Sequence, residues 1–240
     1  MRRHCFDVMK KLVLLILCAT AVECSFSQSA DEVVSKLRTK LVSVKDYEAK
    51  GLLKTDVAFL KLPISTVRIF YKFPDLFRIK KDGGISVLPK GGIRINMNSL
   101  ITEGNYTSLS AGRITWKGAD LSVLKLIPNG ESSEIVLTTL YVDDKAMLIR
   151  RAITTTKDNG TYEMEMEYGK YAKWGLPDKA VMIFNTKDYK LPKGITFEYD
   201  ASVAKKQKDK KPLSKQGRIE ISYTSYEINK GLGFELFGTK

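Results

Sequence analysis

The chain has 240 residues, 43% of them hydrophobic and 28% charged, with a formal net charge of +13. Its only histidine, His4, and its three cysteines, Cys5, Cys18 and Cys24, all fall at the N-terminal end. The rest has neither imidazole nor thiol, which excludes a cysteine nucleophile, a Ser-His-Asp triad, disulfides and any zinc site needing His or Cys ligands.

That N-terminal end reads as an export signal. Met9-Lys10-Lys11 supplies a basic start, and Leu12 to Ala21 an apolar core too short to span a bilayer, which takes roughly 20 residues. Ser25 and Ser27 put small residues at the −3 and −1 positions, predicting a signal peptide over 1–27 with translation from Met9 and cleavage before Gln28. Leu17 and Glu23 precede Cys18 and Cys24 where lipidation needs a small residue, so soluble export is expected. Residues 28–240 are enough for one domain with its own core. A basic surface suits anionic headgroups or acidic glycans, and export argues against nucleic acid as a partner.

Ser29 followed by Glu32 is a capping-box pattern. Val33, Val34, Leu37, Leu41 and Val44 then recur at helical spacing, predicting an amphipathic helix to about Val44. Beyond it the period changes to two. Val67, Ile69 and Tyr71 alternate with Arg68 and Lys72, Ile93, Ile95 and Met97 with Arg94 and Asn96, and Tyr162, Met164, Met166 and Tyr168 with Glu163, Glu165 and Glu167. Asn98 to Ala111 is less regular and reads as a short helix or a lid loop.

Turn residues at Asp82-Gly83-Gly84, Lys117-Gly118, Asn129-Gly130, Asp143-Asp144 and Asn159-Gly160 separate the apolar runs. From Leu121 to Tyr168 only such turns intervene, leaving no room for parallel crossovers. The expected fold is mainly β: an unclosed antiparallel barrel of about ten or eleven strands, covered by the N-terminal helix.

The order of elements and several strings are similar to the LolA-like lipoprotein carriers. A long strand from Tyr47 to Lys61 is followed by Val67 to Lys72 leading into Phe73-Pro74-Asp75-Leu76-Phe77-Arg78. Further on come Tyr141-Val142-Asp143, Asn159-Gly160-Thr161-Tyr162 and Trp174-Gly175-Leu176-Pro177. The resemblance covers about residues 30 to 200. It implies a half-barrel under a helical lid, in the periplasm of a bacterium, that shields lipoprotein acyl chains between inner and outer membranes. The partners it implies are acylated lipoproteins or lipids and transient docking partners in both membranes, met by a monomer. Relatives with this fold also act as envelope sensors, so a sensor or interaction module is an alternative reading, as is a carrier of a free lipid or glycolipid. The best-known members carry an Arg just before the Pro that latches the lid; here Phe73 stands there, so the latch is absent or built differently.

Met164 and Met166, with Tyr162, are the best candidates for a ligand wall, because thioethers adapt to chains of varied shape. Val67, Ile69, Tyr71, Leu137 and Tyr141 are candidates for the same cavity, and Val33, Leu37 and Leu41 for lid contacts. Each also fits ordinary core packing. Lys205, Lys206, Lys208, Lys210 and Lys211, in a lysine-rich loop over 204–216, suit headgroups or an acidic partner, or a solvated hairpin loop.

No catalytic residue, metal or cofactor is expected. Asp143-Asp144 falls in a turn, and Glu163, Glu165 and Glu167 line a polar strand face. No Gly-Lys-Ser/Thr follows Gly83-Gly84 or Gly91-Gly92, and Asp158-Asn159-Gly160 lacks the further acids of a calcium loop.

Overall fold

The structure is a computed structural model and describes residues 29–56, 63–81, 101, 105–130, 133–158, 160–185 and 216–237. The export segment over 1–27, the predicted strand around Ile93 to Met97 and the lysine run from Lys205 to Lys211 lie outside the described residues.

Helix α1 spans Ala30–Val42. The Ser29 hydroxyl accepts the Glu32 N–H at 3.2 Å, while the Glu32 carboxylate turns outward to Lys36 at 2.7 Å, so one arm of the capping box forms. Asp31 and Glu32 in the first turn and Lys40 in the last complement the helix dipole. Val33, Val34, Leu37 and Leu41 of the predicted stripe form the buried face together with Ala30, while Val44 lies beyond the helix end and is buried in the cluster that holds Tyr47 and Tyr71.

Among the described residues ten antiparallel strands follow: β1 Asp46–Asp56, β2 Ser65–Lys72, β3 Leu76–Lys81, β4 Tyr106–Trp116, β5 Ala119–Pro128, β6 Ile135–Asp143, β7 Leu148–Thr156, β8 Thr161–Glu167, β9 Lys179–Asn185 and β10 Gln216–Ile228. Their order in the single sheet is β3-β2-β1-β10-β9-β8-β7-β6-β5-β4, open at both ends. In the stretch from Asn98 to Ala111, expected to be a short helix or a lid loop, Ile101 is helical and the chain is strand from Tyr106 onward. Its Ser, Thr and Gly content hides an edge strand that is solvated over most of its length.

Two apolar clusters occupy the inner face. The first lies under α1 and joins its buried stripe to Leu124, Leu126, Leu140, Val142, Tyr162, Met164, Met166, Met182 and Phe184. The second covers β1, β2 and β10 through Tyr47, Leu53, Val67, Ile69, Tyr71, Ile221 and Tyr226, with Leu176 packed on it. Within the second, Tyr47, Tyr71, Tyr171, Tyr223 and Tyr226 form a chain of rings 4.8 to 5.3 Å apart.

The chain beyond β10 folds back over the outer face. The Asp46 carboxylate, 5% exposed, accepts the N–H groups of Lys230 at 2.8 Å and Gly231 at 3.0 Å. Burying that charge is offset by these bonds, which fix the C-terminal segment to the start of β1.

Candidate functional site

The seam between the two clusters is where packing is incomplete. A cavity of about 50 Å³ lies there. Leu37 and Leu41 of α1 roof it, and Met164, Met166 and Ala180 floor it. Phe77, Met147 and the Gly175-Leu176-Pro177 turn close its sides, and the Tyr47, Tyr168 and Tyr223 rings complete the wall. A small-molecule site is usually 300 Å³ or more. The cavity therefore holds a few atoms of a ligand, not a chain.

Tyrosine supplies what polarity the wall has. The Tyr168 hydroxyl donates to the Ile149 carbonyl at 2.9 Å. Burial pushes the phenols of Tyr47, Tyr168 and Tyr223 well above their ordinary range, so all three are neutral. The cavity carries no charge of its own and suits an apolar occupant.

Helix α1 is held over this seam by its stripe and by polar ties along its flanks. Asp31 and Arg38 are seven residues apart and share one flank. The Ser108 hydroxyl of β4 donates to the Asp31 carboxylate. Arg38 donates to the Ile101 carbonyl and the Tyr106 hydroxyl, each at 3.0 Å. At the C-terminal end the Lys40 ammonium donates to the Ala146 carbonyl of the β6–β7 turn at 2.7 Å. Partial burial lowers the Lys40 pKa, with Asp143 opposing that shift. Phe73, where the resembling carriers have their arginine, instead packs on the second cluster beneath the Lys45 ammonium, 5.2 Å from its ring centroid. The tie is built from the helix side.

Met164 and Met166 line the cavity with Leu37 and Leu41, while Tyr162 and Val33 lie in the same cluster but away from the cavity lining. Val67, Ile69 and Tyr71 are fully enclosed in the second cluster at 1% exposure or less and do not border the cavity. Leu137 and Tyr141 require a correction: they face the opposite side of the sheet. Thr138, Leu140 and Val142 are the buried phase of β6, and the Arg151 guanidinium covers the Tyr141 ring at 5.1 Å on the outer face. Both phases of Ile135 to Val142 are apolar, and a register shift at Ile135/Leu137 resets the alternation, so parity alone selects the wrong side. Sequence reasoning missed Arg38, Tyr106, Phe77 and Met147. Arg38 carried one signal, a cation on the flank of an apolar stripe. Met147, in a turn at φ 48°, carried none.

An open antiparallel sheet with one face roofed by an N-terminal helix defines the class of the molecule. No family model matches the chain, and no curated protein matches it in sequence. Among solved structures, a LolA superfamily protein from Nitrosomonas europaea matches with a TM-score of 0.55 at 10% identity, covering 89% of this chain and 99% of that one. A domain named as an outer membrane lipoprotein-sorting protein from Vibrio parahaemolyticus gives 0.49 at 11% identity over 88% and 96%. A DUF1329 family protein from Desulfovibrio piger gives 0.49 at 12% over 88% and 98%. The fold is LolA-like, as the sequence strings suggested.

Among the described residues no helix is long and apolar enough to cross a membrane, and no three His, Cys, Asp or Glu side chains converge as metal ligands.

Proposed function

We propose that the protein is an exported acyl-chain carrier of the periplasm that shields the lipid part of lipoproteins beneath α1 and does no covalent chemistry. The observation that carries this reading is the uncharged cavity, floored by Met164 and Met166, at the seam between α1 and the sheet.

Energetics support exchange between helix and cargo. Burying Val33, Val34, Leu37 and Leu41 stabilises the closed helix by about 6–12 kcal/mol at roughly 1.5–3 kcal/mol per large side chain. A 16-carbon acyl chain buries about 15 methylenes at about 0.8 kcal/mol each, roughly 12 kcal/mol. One chain replacing the helix on the sheet is close to neutral, which permits both loading and release. Permanent burial of several chains would not.

Photo-crosslinking in cells from a reactive side chain at Met147, on the cavity wall, tests the reading. Recovery of many different acylated lipoproteins is expected. Recovery of one membrane regulator, or of free lipid alone, would replace it with the sensor or the lipid-carrier reading.

A further inference from the structure

The outer face of β1–β3 carries a row of cations. The sheet register sets Lys50 opposite Arg68 and Arg68 opposite Lys80. All three are on the outward phase of their strands, with neighbouring backbones about 4.8 Å apart. Like charges directly opposed across strands destabilise a sheet.

The row is nevertheless held together. Phe70, 2% exposed, lies beneath it, with the Arg68 guanidinium 5.8 Å and the Lys80 ammonium 5.3 Å from its ring centroid. Glu48 sits 3.8 Å from Arg68, partly offsetting the row. Lys72 and Arg78 extend the positive field on the same phase, while Lys54 stands opposite Glu220 of β10. Lys72 and Arg78 donate to the carbonyls of Leu232 and Leu236 and so hold the C-terminal segment against this face.

Large apolar groups stand among these charges. Phe234 is 67% exposed, with the Lys72 ammonium 4.2 Å from its ring centroid. Leu52, 44% exposed, stands between Lys50 and Lys54 on β1. Clustered cations interleaved with an exposed aromatic and a leucine match the chemistry of an anionic bilayer surface, where phosphates meet the charges and the apolar groups enter the interface. We infer that the outer face of β1–β3, through Lys50, Arg68, Lys80, Leu52 and Phe234, docks on anionic phospholipid membranes. This docking is independent of what fills the cavity on the other face.

The test is vesicle flotation of the full chain, exported under its own N-terminal segment, with phosphatidylglycerol-containing and pure phosphatidylcholine vesicles at low salt. Binding to the anionic vesicles alone is expected. The Lys50→Gln/Arg68→Gln/Lys80→Gln triple variant should bind on the order of 100-fold more weakly, from about a factor of five per cation. A Lys125→Gln/Lys157→Gln/Lys170→Gln triple, which removes the same charge from exposed positions elsewhere, should lose less than about fivefold by the same measure. No binding to anionic vesicles, equal binding to both vesicle types, or equal loss in the two triples would overturn the assignment. If the first triple loses its cooperative thermal melt, Phe234→Ser replaces it: a clear weakening supports docking, and unchanged binding overturns it.

Discussion

Arg38 and Tyr106 share a single acceptor. The guanidinium and the phenol both donate to the Ile101 carbonyl, at 3.0 and 2.8 Å, and the guanidinium also donates to the phenol oxygen at 3.0 Å. This triangle joins α1 to the first residue of β4, across 63 residues of chain between Arg38 and Ile101. Burial raises the Tyr106 pKa and Arg38 opposes that shift, so the phenol keeps its proton and remains a donor.

Replacing Arg38 with Met keeps the apolar stem and removes the donors. The expected loss is about 1–2 kcal/mol. Amide hydrogen exchange should accelerate from Val33 to Leu41 while β8 and β9 are unchanged. Uniform acceleration, or none, would show that the apolar stripe alone holds the helix.

Leu37 is 1% exposed and touches the cavity, as does Met164. Leu37→Ala or Met164→Ala should lower stability by about 2–5 kcal/mol, because a void is added to one already present. Urea titration measures the loss. If α1 is the lid, Leu37→Ala should also take up a fluorescent alkyl probe more readily than the parent chain.

Gly175 combines a φ of 70° with a crowded site: a Cβ there would lie 3.2 Å from Leu41 Cδ2. Gly112, at φ 88°, has nothing within 4 Å. Alanine at either position should cost about 1–2 kcal/mol in backbone strain. Only Gly175→Ala should cost more, by pressing on Leu41. The difference between their melting temperatures isolates that contact, and equal melting temperatures would mean that the helix end yields freely.

Asp143 titrates below its ordinary 3.8. Burial raises its pKa, but the Ala146 N–H and the Arg150 guanidinium together outweigh that effect. A depressed folded pKa contributes stability that is complete above the unfolded value and lost as pH falls through the folded one. Acid destabilisation is therefore expected below about pH 4. Asp143→Asn should be less stable than the parent at pH 7, with the gap closing by about pH 2. Thermal melts across that range measure the convergence, and a gap that persists would assign the loss to packing rather than charge.

The local periods of the chain carried much of this architecture. The stripe from Ala30 to Leu41 and the Met164/Met166 alternation place helix and floor, because each has one apolar and one polar phase. Where both phases were apolar, as from Ile135 to Val142, or where both faces were solvated, as along β4, pattern could not decide. The ties at Arg38 and Lys40 were illegible for another reason. Lys40 and one donor of Arg38 reach backbone carbonyls, which no side-chain pattern reveals, and the Tyr106 hydroxyl that also accepts from Arg38 lies far along the chain.

The pairing of β1 with β10 sets Tyr47 against Ile228, so the first strand of the sheet waits for the last. Strands β4 to β9 join through sequential hairpins and can form as they arrive. The β1–β3 arm has no neighbour until residue 216 is present. A chain threaded N-terminus first through a translocation pore would therefore stay incompletely folded until almost all of it had crossed. Truncation before Gln216 should leave the β4–β9 meander protected from protease and the β1–β3 arm cleavable.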